Sequence, residues 1–203
     1  MQDGLSKSER TRLYILEKTA PVFNAKGYAG TSLSDLTGAT GLTKGSIYGN
    51  FQNKDDVALA AFDYNFEKVT SYIRERILAT DNSIERLLVY PDTYAQFLKI
   101  PFLKAGCPLL NTSTEADDTH PLLKAKAARA LRFWKTSIEN QVRRGIERAE
   151  IKPGTDPVSI AVVLVSLVEG AIMQAKLTDR STELRIAMRF LEQMIRDLSR
   201  DQT

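Results

Sequence analysis

The chain has 203 residues, 43% of them apolar, and a net charge of +3 at neutral pH, enough for one large or two small domains that fold on a core of their own without disulfide or metal staples. Its one cysteine, Cys107, excludes an intramolecular disulfide, and no N-terminal apolar run resembles a secretory signal, so a reducing cytoplasm is the expected compartment. The most apolar stretch, Val158 to Met173, is shorter than a membrane span and contains Glu169, which points to a buried core or interface helix and no membrane partner.

Charge is unevenly placed. Residues 1–54 hold seven basic and four acidic side chains, so this quarter accounts for the whole net charge, as a phosphate-facing module would. No segment alternates apolar and polar residues for long enough to make a sheet, whereas helical spacing recurs throughout, and an all-α fold is expected.

In chain order, the first helix runs from about Ser8 to Lys26, with Leu13, Leu16, Ala20 and Phe23 on one face and Gly27 ending it. Ser32 and Asp35 form a capping-box pattern for a short second helix that stops near Gly41. Thr43 caps a third through about Asn50, and Asn53 with Asp56 starts a long fourth helix to about residue 79. A fifth is expected from Ile84 towards Lys99, kinked or broken by Pro91, with a loop between Pro101 and Pro108. A short sixth follows from Pro108 to about Glu115. Pro121 then opens a long seventh to about Glu150. Asp156 and Pro157 begin an eighth to about Leu177, and Ser181 a ninth through Leu198.

The informative stretch is Thr31 to Lys54, where two short helices meet at a tight turn at Gly41, the spacing of a helix-turn-helix. Leu36, Leu42, Ile47 and Phe51 supply its apolar contacts, and helices one and four must clamp it because it is too small to bury a core alone. The second short helix would enter the major groove with Thr43, Lys44, Ser46, Tyr48, Gly49 and Asn50 available for contact.

At these residues the chain resembles the TetR/AcrR family of transcription regulators. Gly27 with Tyr28, Thr31 with Ser32, the run Lys44, Gly45, Ser46, Tyr48 and Phe51, and then Lys54 all match the family pattern. The resemblance implies a nine-helix homodimer: residues 1–54 as the DNA-binding domain, helix four as the link, and residues 55–203 as the effector-binding and dimerisation domain. It implies double-stranded operator DNA and a small-molecule effector as partners, with Thr31, Tyr48 and Lys54 anchoring phosphates and Lys44 at the DNA surface. Asn50 stands where many members carry histidine, and asparagine pairs with adenine, so this departure bears on the base read.

No cofactor and no catalytic constellation is expected. His120 with Glu115, Asp117 and Asp118 is a chemically tolerable metal set, but acidic residues before Pro121 already suit a helix N-terminus, and no metal is expected. The resemblance places Tyr90, Tyr94, Phe97, Phe102, Phe133 and Trp134 on helices around an effector cavity, where aromatics at helical spacing are also ordinary core. Cys107 is either a small buried hydrophobe or a reactive thiol at a helix N-terminus near Lys104, with Lys176 a second basic candidate. Electrophile-sensing members look similar here, in the glycine-cysteine pair and in Gln174, Ala175 and Lys176. Val162, Val165 and Val168 on helix eight, with Leu184, Met188, Leu191 and Ile195 on helix nine, are the expected dimer surface. The rival readings are an activator or a DNA-organising protein without a ligand and, in another class, a helical enzyme or interaction module.

Overall fold

The computed structural model describes residues 4–200. Among these the regular structure is helical apart from one isolated bridge, Ile151 with Ser199. The elements are α1 (Lys7–Gly30), α2 (Leu33–Thr40), α3 (Lys44–Tyr48), α4 (Lys54–Leu78), α5 (Ser83–Ala95), α6 (Pro108–Ala116), α7 (Pro121–Glu147), α8 (Pro157–Thr178) and α9 (Thr182–Arg196), with 3-10 turns at Phe97–Lys99 and Pro101–Leu103. Among the described residues the all-α, nine-helix architecture is as the sequence implies.

The chain forms two compact units, and neither is continuous. One holds the residues up to Lys68 together with Cys107–Ala128; the other holds Val69–Gly106 and the residues from Arg129 onward. A cut after residue 54 therefore does not describe them, because α6, the start of α7 and much of α4 belong with the helix-turn-helix.

In the first unit, Ile15, Phe23, Leu36, Ile47, Phe51 and Val57 close one core between α1, α2, α3 and α4. Helix α1 starts on a capping box in which Ser6 Oγ accepts from Glu9 N and the Glu9 carboxylate accepts from Ser6 N at 2.8 Å, one residue earlier than expected. Gly27 breaks α1, as the sequence suggests, with φ at 73°, but the chain winds one more turn to Gly30. A new turn exposes new backbone N–H groups, and the Glu115 carboxylate on α6 accepts from two of them, Tyr28 N and Ala29 N, both at 2.8 Å. A side chain at position 27 would overlap that carboxylate. Asn53 caps α4 as expected, its Oδ1 accepting from Asp56 N at 2.9 Å.

In the second unit, α9 packs along α8 and α5. Pro91 lies inside α5 and does not break it. The helix closes at Ala95, one turn past the proline, and passes into the two 3-10 turns. Cys107 and Pro108 occupy the N-cap and first position of α6 as read, although the cysteine side chain makes no capping hydrogen bond.

Two expectations need correction. The apolar run of α8 belongs to a 22-residue helix in which an 18-residue stretch has a mean hydropathy of 2.0, long and apolar enough by composition to cross a membrane, so length alone does not exclude a span. The expected dimer surface is also largely wrong: Val165, Val168, Leu184, Met188, Leu191 and Ile195 are buried within the chain, and Val162 alone of the seven is exposed, at 41%. Their helical stripe was read as facing a partner when it faces the chain's own core. The exposed large apolar side chains on these helices are instead Val158, Val162, Val163, Met173 and Leu177 on α8 and Ile186 and Phe190 on α9.

The two left-handed glycines of the first unit should respond differently to substitution. Gly41 has φ at 68° with open space around it, so Gly41→Ala is expected to cost about 1 kcal/mol, the backbone penalty alone. Gly27→Ala adds the collision with Glu115 and the loss of its two hydrogen bonds, for about 2 kcal/mol or more. Urea unfolding of both variants checks the order; equal losses would show that the Glu115 contact adds nothing.

Candidate nucleic-acid interface

Each short helix of the helix-turn-helix is fixed by its own cap. Ser32 Oγ accepts from Asp35 N while the Asp35 carboxylate accepts from Ser32 N at 2.8 Å, the reciprocal pair that the sequence pattern predicts. Asp35 also binds Lys26 Nζ at 2.6 Å. The lysine, then the Ser32 backbone and hydroxyl, hold the Asp35 carboxyl down at about 2. Gly41 takes the left-handed turn after α2, its N–H donating to Thr37 O at 2.8 Å. Thr43 Oγ1 then caps α3 by accepting from Ser46 N.

Helix α3 is five residues long, two fewer than the expected run to Asn50, because the chain turns at Gly49 and Asn50. Its inward side is Ile47, with Phe51 just beyond, both buried; Thr43, Lys44 and Gly45 are exposed, and Ser46, Tyr48 and Asn50 are half-buried. A helix this short cannot hold itself. Tyr14 Oη on α1 donates to Thr40 O at 2.9 Å, fastening α1 to the end of α2. Arg12 lies 3.9 Å over the Phe51 ring, donates to the Asn50 carbonyl and approaches Asp56 at 3.6 Å. Arg12 was missed in the sequence, where a basic residue on α1 looks like any solvated charge.

A second cluster supports the start of α4. Tyr28 Oη donates to the Asp55 carboxylate, and Lys54 Nζ sits 4.4 Å over the Tyr28 ring. His120 meets the same ring edge-on at 4.5 Å, and its Nδ1 accepts from Leu123 N. The Asp55 carboxylate, with burial second, pushes the Tyr28 hydroxyl up to about 12. His120 and Glu115 thus have structural partners, which accounts for two members of the possible metal set.

Two predicted DNA contacts fit the structure poorly. Thr31 is 0% exposed and its hydroxyl donates to Gly27 O at 2.6 Å, so it supports the α1 break and does not present a phosphate ligand. Asn50 spends its amide inside the unit, Nδ2 donating to Ser46 O at 2.9 Å and Oδ1 accepting from Ser8 Oγ. Base reading by Asn50 would have to give up these bonds. The Ser32 hydroxyl is exposed but already serves the α2 cap.

The effector candidates divide in the same way. Tyr90, Tyr94, Phe97 and Trp134 are buried in the second unit, with the Trp134 ring 6.4 Å from Tyr90 and 5.7 Å from Tyr94. Burial pushes the Tyr90 hydroxyl up to about 12, against the opposing Ser137 hydrogen bond. The Trp134 indole N–H is buried and, among the described residues, has no hydrogen-bond acceptor. Phe102 stacks edge-on to Tyr72 at 5.6 Å. Phe133 is 57% exposed and does not line an interior cavity, since it is one residue out of phase with Trp134 on α7. Cys107 is buried, which matches the small-hydrophobe reading and denies the sulfur the exposure a sensor needs. Lys176 Nζ donates to Ala105 O at 2.5 Å.

The model of the tetR family of bacterial regulatory proteins matches residues 15–61, and that of the tetracyclin repressor-like C-terminal domain matches residues 83–191. The chain belongs to the TetR family. A TetR-family regulator of known structure from Cytophaga hutchinsonii is 46% identical with a TM-score of 0.88, the match covering 96% of this chain and 98% of that one. One from Chloroflexus aurantiacus is 36% identical with a TM-score of 0.87 over the same shares. The HTH-type transcriptional repressor DhaR of a Mycobacterium species is 25% identical over 82% of each chain. As a TetR-family protein the chain is a DNA-binding helix-turn-helix transcription regulator and not an enzyme.

The depressed Asp35 carboxyl gives a pH signature. A carboxylate held below its ordinary value near 4 contributes stability that is fully present above that value and is lost as pH falls towards about 2. Asp35→Asn should therefore be less stable than the parent at neutral pH, with the gap narrowing from about pH 4 down to about pH 2. A gap independent of pH in urea titrations would assign the effect to shape and not to charge.

Proposed function

We propose that this TetR-family regulator is a cytoplasmic repressor that binds a palindromic operator as a homodimer and is released by a small effector. The observation that carries the reading is the surface of α3: Lys44 and its cap Thr43 stand exposed, Tyr48 half-buried, on a helix locked by α1 and α4. Tyr48, Lys54 and the helix N-terminal groups serve phosphates, and Lys44 and Ser46 lie where base edges pass. The repressor sense is supported by relatives such as DhaR.

The dimer surface we assign is the exposed apolar face of α8 and α9: Val162, Met173, Ile186 and Phe190, the last 64% exposed. The opposite side of α8 packs on α9 and α5 within the chain, which suits a four-helix interface better than a lipid span. Such a dimer would set the recognition helices roughly 34 Å apart, one turn of DNA. For the effector we assign the Tyr90, Tyr94 and Trp134 cluster, whose unpaired indole N–H suits a flat apolar compound carrying one hydrogen-bond acceptor. The buried thiol speaks against an electrophile as that effector.

Lys44→Ala and Tyr48→Ala are expected to weaken binding to the chain's own upstream DNA about tenfold each, Lys44→Ala without changing the melting temperature and Tyr48→Ala with a modest drop because its ring packs on the core, and Lys54→Ala to lower the salt slope by about one. Fluorescence anisotropy with competitor DNA measures all three. Unchanged affinity in both alanine variants would remove α3 from the interface, and equal retention of every sequence would favour a DNA-organising protein.

Val162→Glu with Phe190→Glu should convert a dimer into a folded monomer and weaken operator binding with it, since an apolar interface does not tolerate unpaired buried charge. Light scattering with circular dichroism decides. A double variant that stays dimeric places the interface elsewhere.

A further inference from the structure

An open groove of about 730 Å³ runs along α9 and α5 in the second unit, at the size of a small-ligand site. None of Tyr90, Tyr94 or Trp134 lines it, so it is separate from the aromatic cluster assigned to the effector. Its floor is apolar, with Leu88, Val89, Pro91 and Met188 all buried. Its walls are charged, and the charges do not balance.

Three acids line the groove and all are taken. Asp92 is paired with Arg76, which also donates to Thr93 Oγ1. Glu192 is paired with Arg196 at 2.9 Å, and Glu85 lies 3.9 Å from the same guanidinium. Two further arginines, Arg185 and Arg189, line the groove exposed and, among the described residues, have no ion-pair partner. They stand four residues apart on α9, one above the other on one helix face, where two guanidinium groups can close on a single anionic head. Arg185, Arg189, Glu192 and Arg196 share the groove side of α9, and Phe190 is not among its lining residues. Ile186 is shared, lining the groove and belonging to the apolar face assigned to a partner, so a partner seated there would border the groove on that side and leave Arg185 and Arg189 outside the assigned face.

We propose that this groove binds an amphipathic organic anion, a carboxylate or phosphate head on a short apolar tail, with Arg185 and Arg189 holding the head and the α5 floor taking the tail. The arginine fork suits either head, because both offer paired oxygens. The tail supplies what an inorganic anion lacks, burial against Leu88 and Met188.

Isothermal titration of the full chain with dodecanoate and dodecyl phosphate, each below its micelle concentration, tests this against dodecanol and inorganic phosphate. Both amphipathic anions should bind once per chain, and dodecanol and phosphate each at least about tenfold more weakly. Arg185→Glu with Arg189→Glu should lower anion affinity at least about tenfold, with operator affinity and melting temperature unchanged. Equal binding of dodecanol, unchanged binding by the double variant, or no binding of either anion would overturn the site. Co-sedimentation with phosphatidylglycerol vesicles but not phosphatidylcholine, without uptake of free dodecanoate, would overturn it in favour of a lipid surface. Trp134→Phe, which alters the effector cluster, should leave anion binding intact, so the two readings fail separately.

Discussion

The Glu115 carboxylate reaches from α6 to the backbone N–H groups of Tyr28 and Ala29, and much of the DNA-binding unit depends on that contact. Helix α1 has to stop so that the chain can turn into α2, and stopping it at a left-handed glycine leaves a fresh set of donors on the turn that follows. Water would satisfy them without fixing their direction. A carboxylate from another helix satisfies them and sets the angle at which Thr31 and the α2 cap leave α1, with Thr31 pinned to Gly27 O from inside. The Tyr28 ring, placed by the same turn, then carries Lys54 and Asp55 at the head of α4.

From this frame the five residues of α3 inherit their position. Nothing in so short a helix can hold it; Ile47 and Phe51 anchor it from below, and Arg12 covers Phe51 from above. What remains outward is small, polar or basic, which is the chemistry that the proposed contact with phosphates and base edges requires. The second unit is ordered by another logic, in which the stripes of α8 and α9 are consumed in packing one another and α5, leaving one exposed apolar face and one charged flank.

Local chemistry was legible in the sequence wherever it is local. The caps at Ser32, Thr43, Asn53 and Asp156, the breaks at Gly27 and Gly41 and the first-position prolines Pro108, Pro121 and Pro157 are each decided within a few residues, and each is found where the spacing puts it. Tertiary choices were not. A stripe such as Leu184, Met188, Leu191 and Ile195 has the same period whether it faces its own core or a second chain, and a threonine next to a capping serine looks exposed until its hydroxyl is seen on Gly27 O. Pro91 is a related case: of the kink or break expected there, the break does not occur, because its missing N–H removes one bond, which α5 tolerates in a buried setting. Glu115 was legible only as one more acidic residue before a helix, since its partners lie more than eighty positions away.

If the recognition helix is placed by contacts outside itself, the most direct test leaves α2 and α3 untouched. Operator affinity of Glu115→Ala, measured by anisotropy with amide hydrogen exchange at Tyr28 and Ala29 on the same sample, should fall about tenfold as those two amides lose protection, while helical content stays that of the parent. Unchanged operator affinity alongside exposed Tyr28 and Ala29 amides would contradict the account, because α3 would then hold its place without the turn that is said to set it.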